Sequence, residues 1–361
     1  MSTQVSTELD RIAARYAADP KVSAFSAAIE QPASGFTWGY GDTDQPYFIA
    51  SITKLYTVAM IMQLRAEHAL TLETRAAELL GADTMRGLNV HGGHDYGPAI
   101  TVRELLAQTS GIPDYYEQKG PDGATLAESM LRSDAAWTFE DFLERARSMP
   151  SRFPPSAPGR AQYCDTNYQL LGRIIEVVTA GRFEDALRRR VLEPLGLSST
   201  WLFTPQTVDR YDEVATLRHG RTPLRIPEAI ASFPPDGAMV STATDQLRFL
   251  RAFVAGRVFP AEYLTEMTAQ WHSVFSPLVP IHYGIGLMRY RVPRWQTPAT
   301  PAPVMIGHSG AFGTVLYYVP DRDLYIAATV NQMRARSLSH VLLLRCATRF
   351  PRQALRPPLV G

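Results

Sequence analysis

Between residues 52 and 64 almost every side chain is apolar, in the sequence ITKLYTVAMIMQL. A helix that is apolar on every face is stable only when it is buried on all sides. This segment therefore predicts a helix at the centre of the molecule, and a chain of 361 residues is long enough to enclose it. The segment contains one charged residue, Lys54, which stands three positions after Ser51.

The scarcity of lysine makes Lys54 informative. The chain has 36 basic residues, and only Lys21, Lys54 and Lys119 are lysines. Arginine keeps its proton in proteins, whereas a buried lysine can lose it and act as a base. Residues three apart share a helix face, so Ser51 and Lys54 can meet. Burial and the positive end of the helix dipole disfavour the ammonium form. The pattern allows a neutral Lys54 that activates Ser51 as a nucleophile, although S-x-x-K often arises by chance and the lysine of such a motif is usually a solvated helix residue.

The order of strand and helix signals predicts a discontinuous fold. Two strands are expected in residues 22–32 and 35–42, and strand signals return in 282–292, 303–312, 314–320 and 324–331. The region between them is mostly helical, and a last helix is expected in 337–350. We therefore predict an α/β (α+β) fold with an antiparallel sheet built from both termini and flanked by helices. Its sheet domain would comprise residues 1–60 and 275–361, and a mostly helical domain would be inserted at 61–274.

Composition excludes several classes of function. The net charge is near +1, which favours neither nucleic acid nor an anionic membrane as a partner. The first 20 residues read as an amphipathic helix rather than a signal peptide, and no apolar run is long enough to span a bilayer, so a cytoplasmic location is expected.

Metal sites and disulfides are not indicated by the sequence either. The two cysteines of the chain cannot form a disulfide framework, and neither stands in a spacing that is typical of a metal site. His91, His94 and Asp95 mimic a metal cluster, but in a Gly-rich loop they are more typical of a surface, and we expect no metal or cofactor.

Five further segments stand in an order that is specific to one family. They are TVRELLAQTSGIPDY (101–115), PPSAPGRAQYCDTNYQLLGRIIEVV (154–178), RRRVLEPLGLSSTW (188–201), DGAMVSTATDQLRFL (236–250) and GHSGAFGTVLYYVPDRDLYIAATVN (307–331). From about residue 20 to 335 the chain resembles the penicillin-recognising serine hydrolases, in the branch that contains class C β-lactamases, D-alanyl-D-alanine carboxypeptidases and related esterases. The resemblance implies a β-lactamase/transpeptidase-like fold.

The resemblance also implies roles for individual residues. Ser51-Ile52-Thr53-Lys54 matches the family's S-x-x-K motif, and His308-Ser309-Gly310 matches its H-x-G motif. Tyr163 would help Lys54 to activate Ser51 and would pass a proton to the leaving group, with a pKa lowered by nearby cations. The N–H groups of Ser51 and Ala311 would form the oxyanion hole, Gly310 would leave room for substrate along the strand, and His308 would support the proton network.

Some of these positions also have simpler interpretations. Tyr163 and His308 are compatible with ordinary packed side chains, and Cys164 with a small buried one. Three aromatic residues could line the pocket or pack the helical domain: Tyr115, Tyr116 and Trp137.

The second motif, Y-x-N in the family, reads Tyr163-Cys164-Asp165. An ionised Asp165 can only accept hydrogen bonds, and near Lys54 it would raise the pKa of that lysine. It could hold the lysine or receive the cationic amine of a substrate or acyl acceptor. Alternatively it could point away and cap a helix that begins near Thr166.

We predict a serine acyl-transfer enzyme that acts on a small-molecule ester or amide through a Ser51 acyl-enzyme. An intracellular esterase or amidohydrolase, or a biosynthetic transacylase with an amine acceptor, fits the expected location. The alternatives are a D-Ala-D-Ala carboxypeptidase or β-lactamase-type hydrolase, and a catalytically silent binding protein on the same fold. The sequence does not indicate an oligomeric state.

Overall fold

The computed structural model describes residues 2–276, 278–293 and 302–353. The helices are α1 (Ser2–Ala17), α2 (Thr53–Ala66), α3 (Ala76–Leu80), α4 (Ala82–Met85), α5 (Val102–Leu106), α6 (Leu126–Arg132), α7 (Phe139–Arg147), α8 (Asp165–Thr179), α9 (Phe183–Leu187), α10 (Glu193–Leu195), α11 (Pro227–Ala231), α12 (Ala243–Val254), α13 (Tyr263–Ala269) and α14 (Ser337–Ala347). The strands are β1 (Ser26–Gln31), β2 (Phe36–Tyr40), β3 (Tyr47–Phe48), β4 (Val90–His91), β5 (His94–Asp95), β6 (Trp201–Leu202), β7 (Arg218–His219), β8 (Thr222–Pro223), β9 (Met239–Ser241), β10 (His272–Ser273), β11 (Ile281–Tyr283), β12 (Met288–Tyr290), β13 (Met305–Gly310), β14 (Thr314–Val319) and β15 (Leu324–Thr329).

The largest sheet joins the two ends of the chain, as predicted. Its strand order is β10-β11-β12-β13-β14-β15-β1-β2, and every neighbouring pair is antiparallel. The first two strands of the chain thus extend a sheet made from the last six. The segment 282–292, expected as one strand signal, holds the end of β11 and all of β12, because the chain turns between them at Gly286 with a φ of +74°.

Helix α2 lies at the centre of the molecule, as its apolar sequence predicts. Every residue from Thr53 to Met62 is buried, and the helix packs on α8, α9 and β13. Helices α12 and α14 both pack on β14 and β15, and α1 packs on α14 and β2. The helices therefore flank the sheet and leave the start of α2 facing strand β13.

The interval 61–274 is mostly helical, but two of its elements pack with the sheet. Strand β10 forms one edge of the large sheet, and α12 packs on β1 and β15. The division into two domains stays a prediction, and the end of the predicted sheet domain, 354–361, lies outside the described residues. No helix in the described part of the chain is both long and apolar enough to cross a bilayer.

The HGGHD loop forms the two short strands β4 and β5. The Asp95 carboxylate accepts hydrogen bonds from the backbone N–H groups of Gly87 and Gly97, both at 2.9 Å, and the His94 ring packs edge-on against Tyr96. The carboxylate therefore serves to hold the local turns. Across residues 2–276, 278–293 and 302–353 no group of three His, Cys, Asp or Glu side chains is placed to hold a metal.

Candidate active site

Ser51 lies in a tight turn that leads into the central helix. After β3 the chain forms a 3-10 helix over Ala50–Ile52 and continues directly into α2. Ala50, the residue before Ser51, has a φ of +48°, a conformation that is costly for a residue with a Cβ. Such strain persists only where the surroundings hold it, and here it orients the serine toward the open side of the turn.

Strand β13 holds this turn from the other side. A Cβ added at Gly310 would lie 2.5 Å from the Ile49 carbonyl oxygen and 2.9 Å from the Ala50 Cβ. The Thr314 hydroxyl also donates a hydrogen bond to the Ile49 carbonyl, at 3.0 Å. Gly310 therefore lets the strand approach the nucleophile turn, and its role in leaving room for substrate stays a prediction.

Lys54 is fully buried and its ammonium group contacts three groups. Its Nζ lies 3.2 Å from Ser51 Oγ, 2.5 Å from Asp165 Oδ1 and 2.8 Å from the Asp236 carbonyl oxygen. The predicted meeting of Ser51 and Lys54 on one helix face is therefore present in the structure.

The charge state expected for Lys54 from burial and the helix dipole is wrong. Burial does act to lower the pKa of Lys54, but the nearby carboxylates of Asp165 and Asp236 outweigh it, and the pKa lies above its usual value. Lys54 is therefore an ammonium at rest, and its free amine becomes available only at higher pH. This is the effect that the sequence predicts for an ionised Asp165 near the lysine.

Asp165 is the first residue of α8 and does not cap it. The N-cap residue is Cys164, which makes no side-chain capping bond, and the Asp165 side chain turns to Lys54 instead. The backbone N–H of Asp165 donates to Asp114 Oδ1 at 2.8 Å, so a second carboxylate occupies the start of the helix. The capping role considered for Asp165 is thus filled by Asp114, which the sequence interpretation did not include.

Asp236 is a further buried carboxylate that sequence reasoning missed. Its oxygens accept hydrogen bonds from the Tyr115 hydroxyl at 2.6 Å and from Gln169 Nε2 at 3.1 Å. Burial raises the pKa of Asp236 to about 7, although the Lys54 ammonium opposes the shift. Asp236 is the first residue of one of the five family segments, but its contact with Lys54 is evident only in the folded structure.

The Tyr163 hydroxyl oxygen is buried and makes no well-formed hydrogen bond to any residue that the structure describes, although the Ser51 hydroxyl is close enough to affect its pKa. The Lys54 ammonium lies 5.3 Å from the centre of its ring, and the ring stacks on Phe275. Burial, and next the Asp165 charge, raise the pKa of Tyr163 well above its usual value, and the Ser51 hydroxyl opposes them only in part. The expectation of a lowered pKa is wrong because burial, and next the Asp165 charge, disfavour the phenolate, so Tyr163 is a neutral phenol.

His308 is fully buried behind the site and does not line the cavity. Its Nδ1 lies 2.9 Å from the Ser309 carbonyl, which can only accept, so Nδ1 carries the proton and Nε2 accepts from the Tyr283 hydroxyl at 3.2 Å. The Tyr168 hydroxyl lies 2.8 Å from that of Tyr283. Burial, with the Lys54 charge, lowers the pKa of His308 to about 3. His308 is therefore a neutral end of a hydrogen-bond chain and does not contact Ser51.

The two residues whose N–H groups the resemblance assigns to the oxyanion hole border the same cavity. Ser51 and Ala311 both line the cavity above the nucleophile. The N–H of Ser51 belongs to the first turn of a helix, where such groups have no partner within the helix. Among the described residues no acceptor is found for the N–H of Ala311.

A cavity of about 440 Å³, called here the catalytic cavity, opens over Ser51. Its walls are largely apolar and come from the strands β11 to β13, the start of α14 and the loops between them. The lining residues are Ser51, Tyr116, Glu117, Tyr163, Asp165, Phe275, Val279, Pro280, Ile281, Met288, Tyr290, Ser309, Gly310, Ala311, Arg336, Ser337, His340 and Val341.

The sequence left open whether three aromatic residues line the pocket or pack in the core, and the structure shows both cases. Tyr116 lines the catalytic cavity, whereas Tyr115 is fully buried and bonds to Asp236. Trp137 stacks on Phe233 and lines none of the larger cavities in the described part of the chain. Cys164 is buried, and its thiol lies 3.4 Å from the Ile112 carbonyl, as its simpler interpretation predicts.

Comparisons with known proteins agree with this geometry. Penicillin-binding protein 4 of Amycolatopsis lactamdurans is 29% identical over 224 residues, which cover 60% of this chain and 53% of that protein. The chain thus spans about half the length of this curated relative. Among solved structures, the D-amino acid amidase of Ochrobactrum anthropi SV3 complexed with L-phenylalanine amide has a TM-score of 0.78 at 22% identity and covers 96% of this chain and 98% of its own. The hydrolase EstCE1, described as having promiscuous acyltransferase activity, has a TM-score of 0.76 at 18% identity over 96% and 98% of the two chains.

These structural likenesses show that the fold is the one predicted. The sequence profile of the β-lactamase family matches residues 30–343, a range that contains the nucleophile turn, Asp165 and strand β13. The chain therefore belongs to the β-lactamase family, as its motifs predict.

Proposed function

We propose that the protein is a serine acyl-transfer enzyme that acts on small esters or amides. The observation that carries the proposal is the 3.2 Å contact between Ser51 Oγ and Lys54 Nζ beneath the catalytic cavity. A protein that only bound a ligand would not require a buried lysine beside a serine in a strained turn, because each has a cost in stability.

The first half of the reaction follows from the charges of the site. When Lys54 is in its free-amine form, it takes the proton of Ser51 as Oγ bonds to the substrate carbonyl carbon. The N–H groups of Ser51 and Ala311 stabilise the negative oxygen that forms. When the bond to the leaving alcohol or amine breaks, the neutral phenol of Tyr163 supplies the proton that the leaving group needs and regains one from the Lys54 ammonium.

The shape of the catalytic cavity supports a substrate with a bulky apolar group. Phe275, Ile281, Met288, Tyr290 and Val341 all contribute to its walls. The likeness to an amidase whose structure holds L-phenylalanine amide makes amides of aromatic amino acids suitable test substrates. We infer that an aromatic or branched group next to the reacting carbonyl is accommodated here.

Water is the acyl acceptor in the simplest form of this proposal. Transfer to an amine is a second candidate, because the Asp165 carboxylate lines the cavity and would attract a cationic amine. Cytoplasmic location, with a biosynthetic role, stays a prediction from the sequence.

A panel of 4-nitrophenyl esters and amino-acid amides, with and without an added amine, tests the proposal. Intact-mass analysis should show an adduct on the wild-type protein and none on Ser51→Ala. Product analysis then identifies the acid or the new amide. If Ser51→Ala acquires the same adduct mass, or if no ester or fluorophosphonate labels the wild type, the proposal is wrong.

A further inference from the structure

A second large cavity, called here the basic cavity, is lined by three cationic side chains. It has a volume of about 460 Å³, and Lys21, Arg221 and Arg334 contribute to its walls. The remaining lining residues are Pro20, Gly220, Gln332, Ala335, Ser337 and Leu338. No carboxylate is among the described residues that line it.

None of the three cations forms an ion pair with a carboxylate in the described part of the chain. Most of the ion pairs in the structure join an arginine to a nearby carboxylate, but none involves Lys21, Arg221 or Arg334. Asp19 accepts a hydrogen bond from the backbone N–H of Lys21 and does not line the cavity. Three like charges around one cavity repel each other, and a multivalent anion between them would relieve that repulsion.

Buried hydrogen bonds hold the walls of the basic cavity in place. Gln332 is 1% exposed, and its side-chain amide joins two of the cation-bearing segments. Its Nε2 donates to the Gly220 carbonyl at 2.7 Å, and its Oε1 accepts from the N–H groups of Gly220 at 2.8 Å and Arg334 at 3.2 Å. The hairpin tip that carries Arg221 is thereby fixed against the segment that carries Arg334. These bonds fix the backbone segments that carry Arg221 and Arg334, whereas the three cationic side chains themselves are exposed to solvent.

We propose that the basic cavity binds a phosphate-bearing small molecule. A phosphate group supplies two negative charges and several acceptor oxygens, which match three cationic donors better than a single carboxylate does. The net charge of the whole chain is only about +1, so general attraction of anions does not account for such binding. The site lies beside the catalytic cavity, since Ser337 lines both.

Isothermal titration calorimetry with inorganic pyrophosphate at low ionic strength tests the proposal. The double variant Arg221→Gln/Arg334→Gln should bind pyrophosphate at least about tenfold more weakly than the wild type. The matched control Arg132→Gln/Arg257→Gln removes the same charge from exposed residues that line neither cavity, and it should bind as the wild type does. Circular dichroism checks that both variants are folded.

Two further measurements distinguish phosphate binding in the basic cavity from binding in the catalytic cavity and from attraction of any anion. Ser51→Ala should bind pyrophosphate with unchanged affinity, because the catalytic serine is not part of the basic cavity. Citrate, a carboxylate anion of comparable charge, should bind more weakly than pyrophosphate. The proposal is overturned if the wild type does not bind pyrophosphate, if the control variant loses as much affinity as the cavity variant, if Ser51→Ala abolishes binding, or if citrate binds equally well.

Discussion

Replacing Gly310 by alanine should disturb the nucleophile without removing any group that takes part in the reaction. The new Cβ would lie 2.5 Å from the Ile49 carbonyl oxygen, whereas Cβ contacts under 3.0 Å are essentially not seen in proteins. The turn or the strand must therefore move by about 0.5 Å to relieve this one contact. The same Cβ would lie even closer to Thr314 Oγ1, the hydroxyl that donates to the Ile49 carbonyl, so the hydrogen bond that holds the turn must also be displaced.

The expected loss of activity follows from that displacement. A misplacement of about 1 Å can reduce an enzyme's rate by about 10²-fold, so a shift of half that size should lower kcat/KM by about tenfold or more. Overpacking of this kind also costs about 1–3 kcal/mol of stability. Activity should therefore fall in Gly310→Ala at a temperature where the variant is still folded.

The assay is the rate of fluorophosphonate labelling of Ser51, together with the hydrolysis of a 4-nitrophenyl ester and thermal denaturation. Gly181→Ala is the matched control, since a Cβ there would have no neighbour closer than 3.6 Å and the residue lies outside the site. It should retain the labelling rate and melting temperature of the wild type. Wild-type labelling by Gly310→Ala would refute the argument that this glycine sets the position of the serine.

Three other predictions concern the charged groups of the site. Lys54→Arg should lower kcat by about 10²-fold or more while the protein stays folded, because arginine keeps the charge but cannot accept the proton of Ser51; a tenth of the wild-type kcat would count against Lys54 as the base. Asp165→Asn should move the acidic limb of the kcat/KM profile to lower pH, because the carboxylate that raises the pKa of Lys54 is gone; an unchanged profile would show that the pair does not control the base. Tyr163→Phe should reduce turnover of amides more than that of 4-nitrophenyl esters, because a poor leaving group depends more on the phenol proton; equal losses would remove Tyr163 from the leaving-group step.

The sequence predicts the parts of the site that depend on local geometry. Ser51 and Lys54 are one helical turn apart, so a spacing of three residues is enough to predict their contact. The central position of α2 follows equally from its own composition. The antiparallel sheet could be anticipated because strand signals at both ends of the chain are separated by clear turns.

The motif match placed Asp165 near Lys54, but the other partner of the lysine could not be predicted in the same way. The Asp236 carbonyl is 182 positions away in the sequence, and no periodicity connects such distant residues. The pKa of Tyr163 was expected to fall because the lysine was counted, whereas burial of the phenol and the charge of Asp165, which raise it, were not.

The direction in which the His308 side chain points could not be predicted from its motif either. Successive side chains of a strand point to opposite faces, and the H-x-G motif does not say which residue faces the cavity. Here Ser309 faces the cavity, and His308 faces Tyr283 in the core.

The aspartate that stands in place of the family's asparagine links stability and activity at one position. A buried ammonium without a partner is costly, and removing one member of a buried pair typically destabilises a protein by about 3–5 kcal/mol. The raised pKa of Lys54 means that the pair stabilises the fold at neutral pH, and that this contribution is lost only as the pH rises through that pKa. The same charge withholds the free amine from Ser51 at low pH. Asp165→Asn should therefore lower the melting temperature while it extends activity toward acid, whereas a residue that merely capped α8 would produce neither effect, because asparagine caps a helix about as well as aspartate does.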